Sequence, residues 1–133
     1  MTKRKPVTMI VIPHDRHKPT YTITVEADKT GEAISREVGG FFDVVRLPDN
    51  YDLWVNDEGL IEKLPLNVRA CLLVARLWDE DPKNIVLVGN AVLAKSDKGG
   101  HTVSVPEEMA EVWNDAERRE DNAAEHLEAL GDE

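Results

Sequence analysis

A chain of 133 residues with 41% apolar and 32% charged side chains and a net charge of −10 has the make-up of one folded domain around a single core, not of a disordered or fibrous chain. Its one cysteine, Cys71, excludes an intrachain disulfide or a zinc site of several thiolates. No apolar run approaches the roughly 20 residues that cross a bilayer, so the expected setting is a reducing cytoplasm with no membrane partner. The charge is +4 over residues 1–20, −5 over 21–100 and −9 over 101–133. That excludes a fold-wide basic face for nucleic acid, because phosphate binding needs clustered Lys and Arg.

In chain order, Val7 to Ile12 reads as a buried strand. Tyr21, Ile23 and Val25, alternating with Thr22, Thr24 and Glu26, predict a second strand paired with it. The proline-bracketed stretch Pro13-His14-Asp15-Arg16-His17-Lys18-Pro19 between them is an expected exposed loop. Thr30 is expected to cap a short helix with Ala33, Ile34 and Val38 on one face, ending at Gly39 where a left-handed residue costs little. Phe41 to Leu47 and Tyr51 to Asn56 predict a hairpin across the turn Pro48-Asp49-Asn50.

Asn56-Asp57-Glu58-Gly59 ends the hairpin, and Leu60 to Leu66 is a short apolar connection. From Asn67 the spacing Val68, Cys71, Leu72, Ala75, Trp78 predicts a helix with one buried stripe, halted by Asp79-Glu80-Asp81-Pro82. Ile85 to Ala94 reads as a central strand with a bulge or close backbone approach at Gly89-Asn90. Thr102 to Val105 reads as a short edge strand, and Ser104 with Glu107 as a capping box before a long final helix. On that helix Met109, Trp113, Ala116, Ala123, Leu127 and Leu130 recur every three or four residues, with Glu120 breaking the pattern.

The expected fold is therefore α+β: a small mixed sheet of five or six strands with two packed helices and a long C-terminal helix, in the order β-β-α-β-β-α-β-(β)-α. Residues 1–106 form a single domain, and 107–133 an acidic helix that docks in its first half and beyond Glu120 frays or pairs with a second copy as a homodimer.

No catalytic or cofactor motif emerges from the residues. His14 and His17 beside Asp15 have no further Cys or His nearby and read as exposed loop side chains. His101 and His126 stand alone. Ser35, Ser96 and Ser104 lack a nucleophile-elbow context, and neither glycine pair leads into a phosphate-binding Lys-Ser/Thr. Asp43, Asp49, Asp52, Asp57 and Glu58 could gather as a hard-cation site, but a solvated hairpin surface is the favoured reading. The stretch Asn56, Asp57, Glu58, Gly59 divides evenly between a strand-ending turn and a binding motif. Asn67 is an expected N-cap. Arg69, unfavourably placed against the helix dipole, calls for exposure or an anionic contact.

Val38-Gly39-Gly40 before Phe41 to Leu47, then Val55-Asn56-Asp57-Glu58-Gly59, Leu64-Pro65-Leu66-Asn67 with Ala70, and Ile85-Val86-Leu87-Val88-Gly89 together resemble the family numbered 3846 among domains of unknown function, over roughly residues 8–112. The resemblance implies a small accessory protein of bacteriophages, plasmids or their bacterial hosts, and it supplies no activity or catalytic residue. It places Asn56 to Gly59 and Pro65-x-Asn67 within a recurring pattern. The expected function is a non-enzymatic binding module, without cofactor or metal, that takes a small anionic, nucleotide-like ligand or a host protein through Asn56, Asp57, Glu58, Gly59, Asn67 and Arg69. The alternative is an acidic protein that competes with nucleic acid for a basic host protein, carried by Glu107, Glu108, Glu111, Asp115 and Glu117.

Overall fold

A computed structural model describes residues 5–106 together with Met109. Six strands form one sheet: β1 (Val7–Ile12), β2 (Tyr21–Val25), β3 (Phe42–Arg46), β4 (Tyr51–Asn56), β5 (Ala91–Ser96) and the short β6 (Thr102–Val103). Two helices, α1 (Thr30–Val38) and α2 (Val68–Trp78), complete the described regular structure apart from short 3-10 turns. The strand order is β2-β1-β5-β4-β3, with β6 paired to β5. The sheet is antiparallel at every pairing, not mixed as expected. Two hairpins, β1–β2 and β3–β4, flank β5, which runs against both of its neighbours.

Alternation along the strands divides the core between the two faces of the sheet. Val7, Met9 and Val11 of β1 and Val92 and Ala94 of β5 pack with Ala33, Ile34 and Val38 of α1. Ile10 and Ile12 of β1, Leu53 of β4 and Ala91 and Leu93 of β5 pack with Ala70, Leu73 and Val74 of α2. Each helix therefore covers one face, and each fully buried Leu or Met contributes on the order of 1.5–3 kcal/mol. Met109 is buried in the α2 cluster, as its place in the sequence pattern predicts. The rest of the expected C-terminal helix, with Glu107, Trp113, Leu127 and Leu130, lies outside the described residues.

Three local expectations change, and Ser104 has a role that the sequence did not show. Thr30 does not cap α1 but is its first residue (φ −62°, ψ −41°), because a 3-10 turn over Ala27–Lys29 runs directly into the helix. The buried face of α2 comprises Arg69, Ala70, Cys71, Leu73, Val74 and Ala75, while Val68 and Trp78 point outward. The central strand begins only at Ala91: Gly89, at φ +76°, turns the chain, and Ile85 to Val88 form no strand of the sheet but lie against α2, through a bridge from Val88 to Leu66, the Asn67 N–H on the Leu87 carbonyl and the packing of Ile85 and Leu87 on the core. A Cβ on Gly89 would lie 2.8 Å from Leu64 Cδ1, which is the close approach the glycine was expected to mark. Finally, Ser104 Oγ accepts the Thr8 N–H at 2.9 Å and donates to the Pro6 carbonyl at 3.3 Å, so it ties the β6 strand to β1. Its capping-box partner Glu107 lies outside the described residues.

Candidate functional site

Strand direction gathers the functional candidates at one end of the sheet. β1 and β4 finish there, β2, β3 and β5 start there, α1 ends there and α2 begins there. The loops at this end contain His14 to Lys18, Gly39-Gly40, Asn56 to Gly59, Asn67 and Gly89-Asn90.

Asn67 caps α2 as expected, its Oδ1 accepting the Ala70 N–H at 3.0 Å. It is also fully buried, and its Nδ2 donates to the carbonyls of Ile12 and Gly89, each at 2.9 Å. One amide thus closes three chain ends. Arg69 is buried, not exposed. Only 3% exposed, it donates from Nη2 to the main-chain carbonyls of Pro13 at 2.7 Å and Asp15 at 3.0 Å. These carbonyl dipoles help to satisfy the buried guanidinium.

Asn56 closes the hairpin on its own turn. Its Oδ1 accepts the Glu58 N–H at 2.8 Å and its Nδ2 donates to the Val38 carbonyl at the end of α1 at 3.1 Å. Gly59 is buried against Val88, where a Cβ would stand 2.8 Å from Cγ2. The side chains of Asn56, Asn67 and Arg69 therefore hold the loops together, while Asp57 and Glu58 remain exposed on the turn. The two groups lie at the same end of the sheet but on separate loops, and no hydrogen bond joins the side chains of Asn56 and Arg69 among the described residues. The hairpin carboxylates do not gather either: Asp52 pairs with Arg46 across the strands at 2.9 Å. Among the described residues no three His, Cys, Asp or Glu side chains are placed to share a metal ion.

The β1–β2 loop is exposed from Arg16 to Pro19, as expected, but its first residues are held from within. Besides Arg69, the Asn90 amide grips it: Oδ1 accepts the His14 N–H at 3.0 Å, while Nδ2 donates to the Glu37 carbonyl of α1 at 3.3 Å. Asp15 Oδ1 accepts the His17 N–H at 2.9 Å, which holds its carboxyl below the usual carboxylate range. Tyr21 Oη donates to Glu37 Oε2 at 2.6 Å. Burial, and then this bond to a carboxylate, push the Tyr21 hydroxyl up to about 12. Cys71 is buried, and desolvation pushes its thiol up, the reverse of what a nucleophile needs.

The same end exposes large apolar side chains, among them Val68, which the helical spacing assigns to a buried stripe. Phe41, Leu60, Ile61, Leu66, Val68 and Val86 range from 42% exposed at Val68 to 82% at Ile61. They form a strip. The Leu66–Val88 bridge sets Val68 opposite Val86 on its outward side, Gly59 brings the following Leu60-Ile61 turn against Val88, and the Asp57 N–H bonds to the Phe41 carbonyl at 2.9 Å. Only the apolar residues of Leu60 to Leu66, interrupted by Glu62 and Lys63, hinted at this in the sequence.

These features define an antiparallel sheet with one helix on each face and a loop end rigid enough to present a surface. The chain belongs to the family described as a domain of unknown function, DUF3846, whose model matches residues 8–117. No curated protein matches it in sequence. Among solved structures, the crystal structure of small RNA methyltransferase HEN1 is similar with a TM-score of 0.50 and 14% identity, the match covering 76% of this chain and 14% of that one. Likeness at that identity is one of fold alone.

Proposed function

We propose that this protein is a non-enzymatic binding module, an accessory protein of a phage or mobile element acting in the bacterial cytoplasm, and that it docks a host protein through the apolar strip at the loop end of its sheet. The observation that supports this reading is the exposure of six large apolar side chains at one end of a small domain; contiguous apolar surface rimmed by polar residues marks interaction sites. The rim gives the partner a sign. The turn that contains Leu60 and Ile61 also bears Asp57, Glu58 and Glu62 against Lys63 alone, so the complementary surface is an apolar anchor flanked by Lys or Arg.

Ile61 and Val86 are exposed, so Ile61→Asp with Val86→Asp should leave the thermal midpoint nearly unchanged. Cross-linking in host cells followed by mass spectrometry should recover one reproducible basic partner with the wild type and lose it with the double variant. Reconstitution from the two purified proteins should weaken with salt. Equal capture by the variant would overturn the reading. A self-associated species on light scattering, abolished by the same substitutions, would replace the host protein with a second copy. The alternative competitor of nucleic acid depends on carboxylates of residues 107–133, outside the described residues, and its test is loss of capture when that segment is deleted.

A further inference from the structure

The stretch from Ile85 to Gly89 leaves one edge of its main chain unpaired. At the bridge of Leu66 to Val88, the Leu87 carbonyl accepts the Asn67 N–H at 2.8 Å and the Gly89 N–H donates to the Pro65 carbonyl at 2.7 Å. Ile85, at φ −111° and ψ 122°, is extended. Successive residues of an extended chain turn their N–H and C=O groups to opposite sides, so those of Val86 and Val88 face away from Pro65 to Asn67. Among the described residues no hydrogen bond engages them. We propose that the host protein docked at the apolar strip enters as an added β-strand along this edge, through an extended segment with apolar side chains at alternate positions and a Lys or Arg at each end. The strand addition rests on that docking and gives the partner its conformation.

Three observations support it. The edge is open: unpaired main-chain groups shut away from water are rare, and Val86 is 62% exposed. The outer edge of β3 differs in this respect. There the Val44 N–H, turned away from β4, is taken by Asp43 Oδ1 at 2.8 Å, and a charged side chain on an edge guards it against pairing. Val86 and Val88 have no such guard. The stretch also has a strand's two sides, since Ile85 and Leu87 pack on the core while Val86 stays out, which leaves an incoming apolar side chain room beside Val86. Charge then fixes the ends of the segment. Glu80 and Asp81 stand before the edge, where Glu80 Oε1 accepts from Asn84 Nδ2 at 2.7 Å. Past it, Gly59 abuts Val88 and brings the exposed Asp57, Glu58 and Glu62 to the other end. These carboxylates outnumber the nearby Lys63 and Lys83, so each end favours a basic residue. A second copy paired antiparallel would set its own carboxylates against them, which like charges oppose.

The probe is the peptide acetyl-Lys-Thr-Val-Thr-Val-Thr-Lys-amide, titrated into the full chain by calorimetry and followed by amide exchange. It should bind at submillimolar concentration, and Glu in place of both Lys should weaken it about tenfold. N-methylation of one alternate set of its residues should abolish binding, and of the other set should not, because only one set faces the edge. With peptide bound, the Val86 and Val88 amides should exchange about tenfold more slowly. Val86→Pro removes a free N–H where the extended Ile85 suits a following proline, and it should weaken binding about tenfold; should that variant fail to fold, the N-methyl series decides. No binding at millimolar peptide, equal effects of the two N-methylated sets, or unchanged exchange at Val86 and Val88 would each overturn strand addition. Protection of these amides that rises with protein concentration alone would do the same, since the edge would then belong to a second copy. A cross-linked host partner lost with Ile61→Asp and Val86→Asp but kept by a folded Val86→Pro would sink strand addition and leave the docking standing. Failure to capture any partner would overturn the docking itself, and with it the host protein as the source of the strand.

Discussion

Arg69 and Asn67 show how much of this end of the molecule depends on two side chains. Arg69→Met keeps most of the apolar stem but leaves the Pro13 and Asp15 carbonyls without their charged donor; a loss of about 2–3 kcal/mol is expected, read as a lower urea midpoint at unchanged slope. Asn67 separates two roles. Asn67→Ser retains a capping oxygen for Ala70 but no donor for Ile12 and Gly89, and Asn67→Asp retains the cap while setting a carboxylate against both carbonyls. The expected stability order is Asn, then Ser, then Asp, whereas a cap alone would leave the three nearly equal. Tyr21 gives a pH signature. Its hydroxyl moves from 10.0 to about 12 on folding, so its contribution is complete below pH 10 and fades as pH rises towards 12. The tyrosinate absorbance of the wild type minus that of Tyr21→Phe should show this late ionisation, and Glu37→Gln should bring it only part of the way back, because burial, the larger cause, remains.

At the scale of elements, Gly89 decides where β5 starts. Gly89→Ala introduces both a left-handed alanine and a Cβ 2.8 Å from Leu64 Cδ1, and a cost of about 1–3 kcal/mol is expected from the backbone alone. Adding Leu64→Ala relieves the clash but not the strain. The double variant should therefore lose less than the sum of the two single losses on denaturant melts, and strict additivity would show that the contact does not matter. Strands were the legible part of the sequence: β1 and β4 have the expected bounds and β2 ends one residue short of its alternating stretch, because apolar runs and alternation are properties of the strand itself. The face of α2 was not legible. A stripe through Val68 and Trp78 and one through Arg69, Ala70, Leu73 and Val74 are both helical patterns, and the charge on Arg69 argued for the first. What settles it is a pair of carbonyls more than fifty residues earlier in the chain, at Pro13 and Asp15. The loop end was missed for the same reason: the histidines, asparagines and apolar residues gathered there come from four separate connections.

For the whole molecule, the position of β5 between the two hairpins has a bearing on how the chain assembles during synthesis. Both hairpins can close early from local contacts, yet neither has a neighbour to join until residues 91–96 have left the ribosome, since only β5 pairs with both β1 and β4. Two-stranded ribbons are marginal alone in water, and pairing over long separations is slow. A chain ended after Asn90 should show no cooperative melt by circular dichroism, and a sharp transition from it would disprove this. Through most of its translation the nascent protein therefore carries two uncapped strand edges, of β1 and β4, and it is in this interval, before the central strand arrives, that it is most open to mispairing or to capture by chaperones.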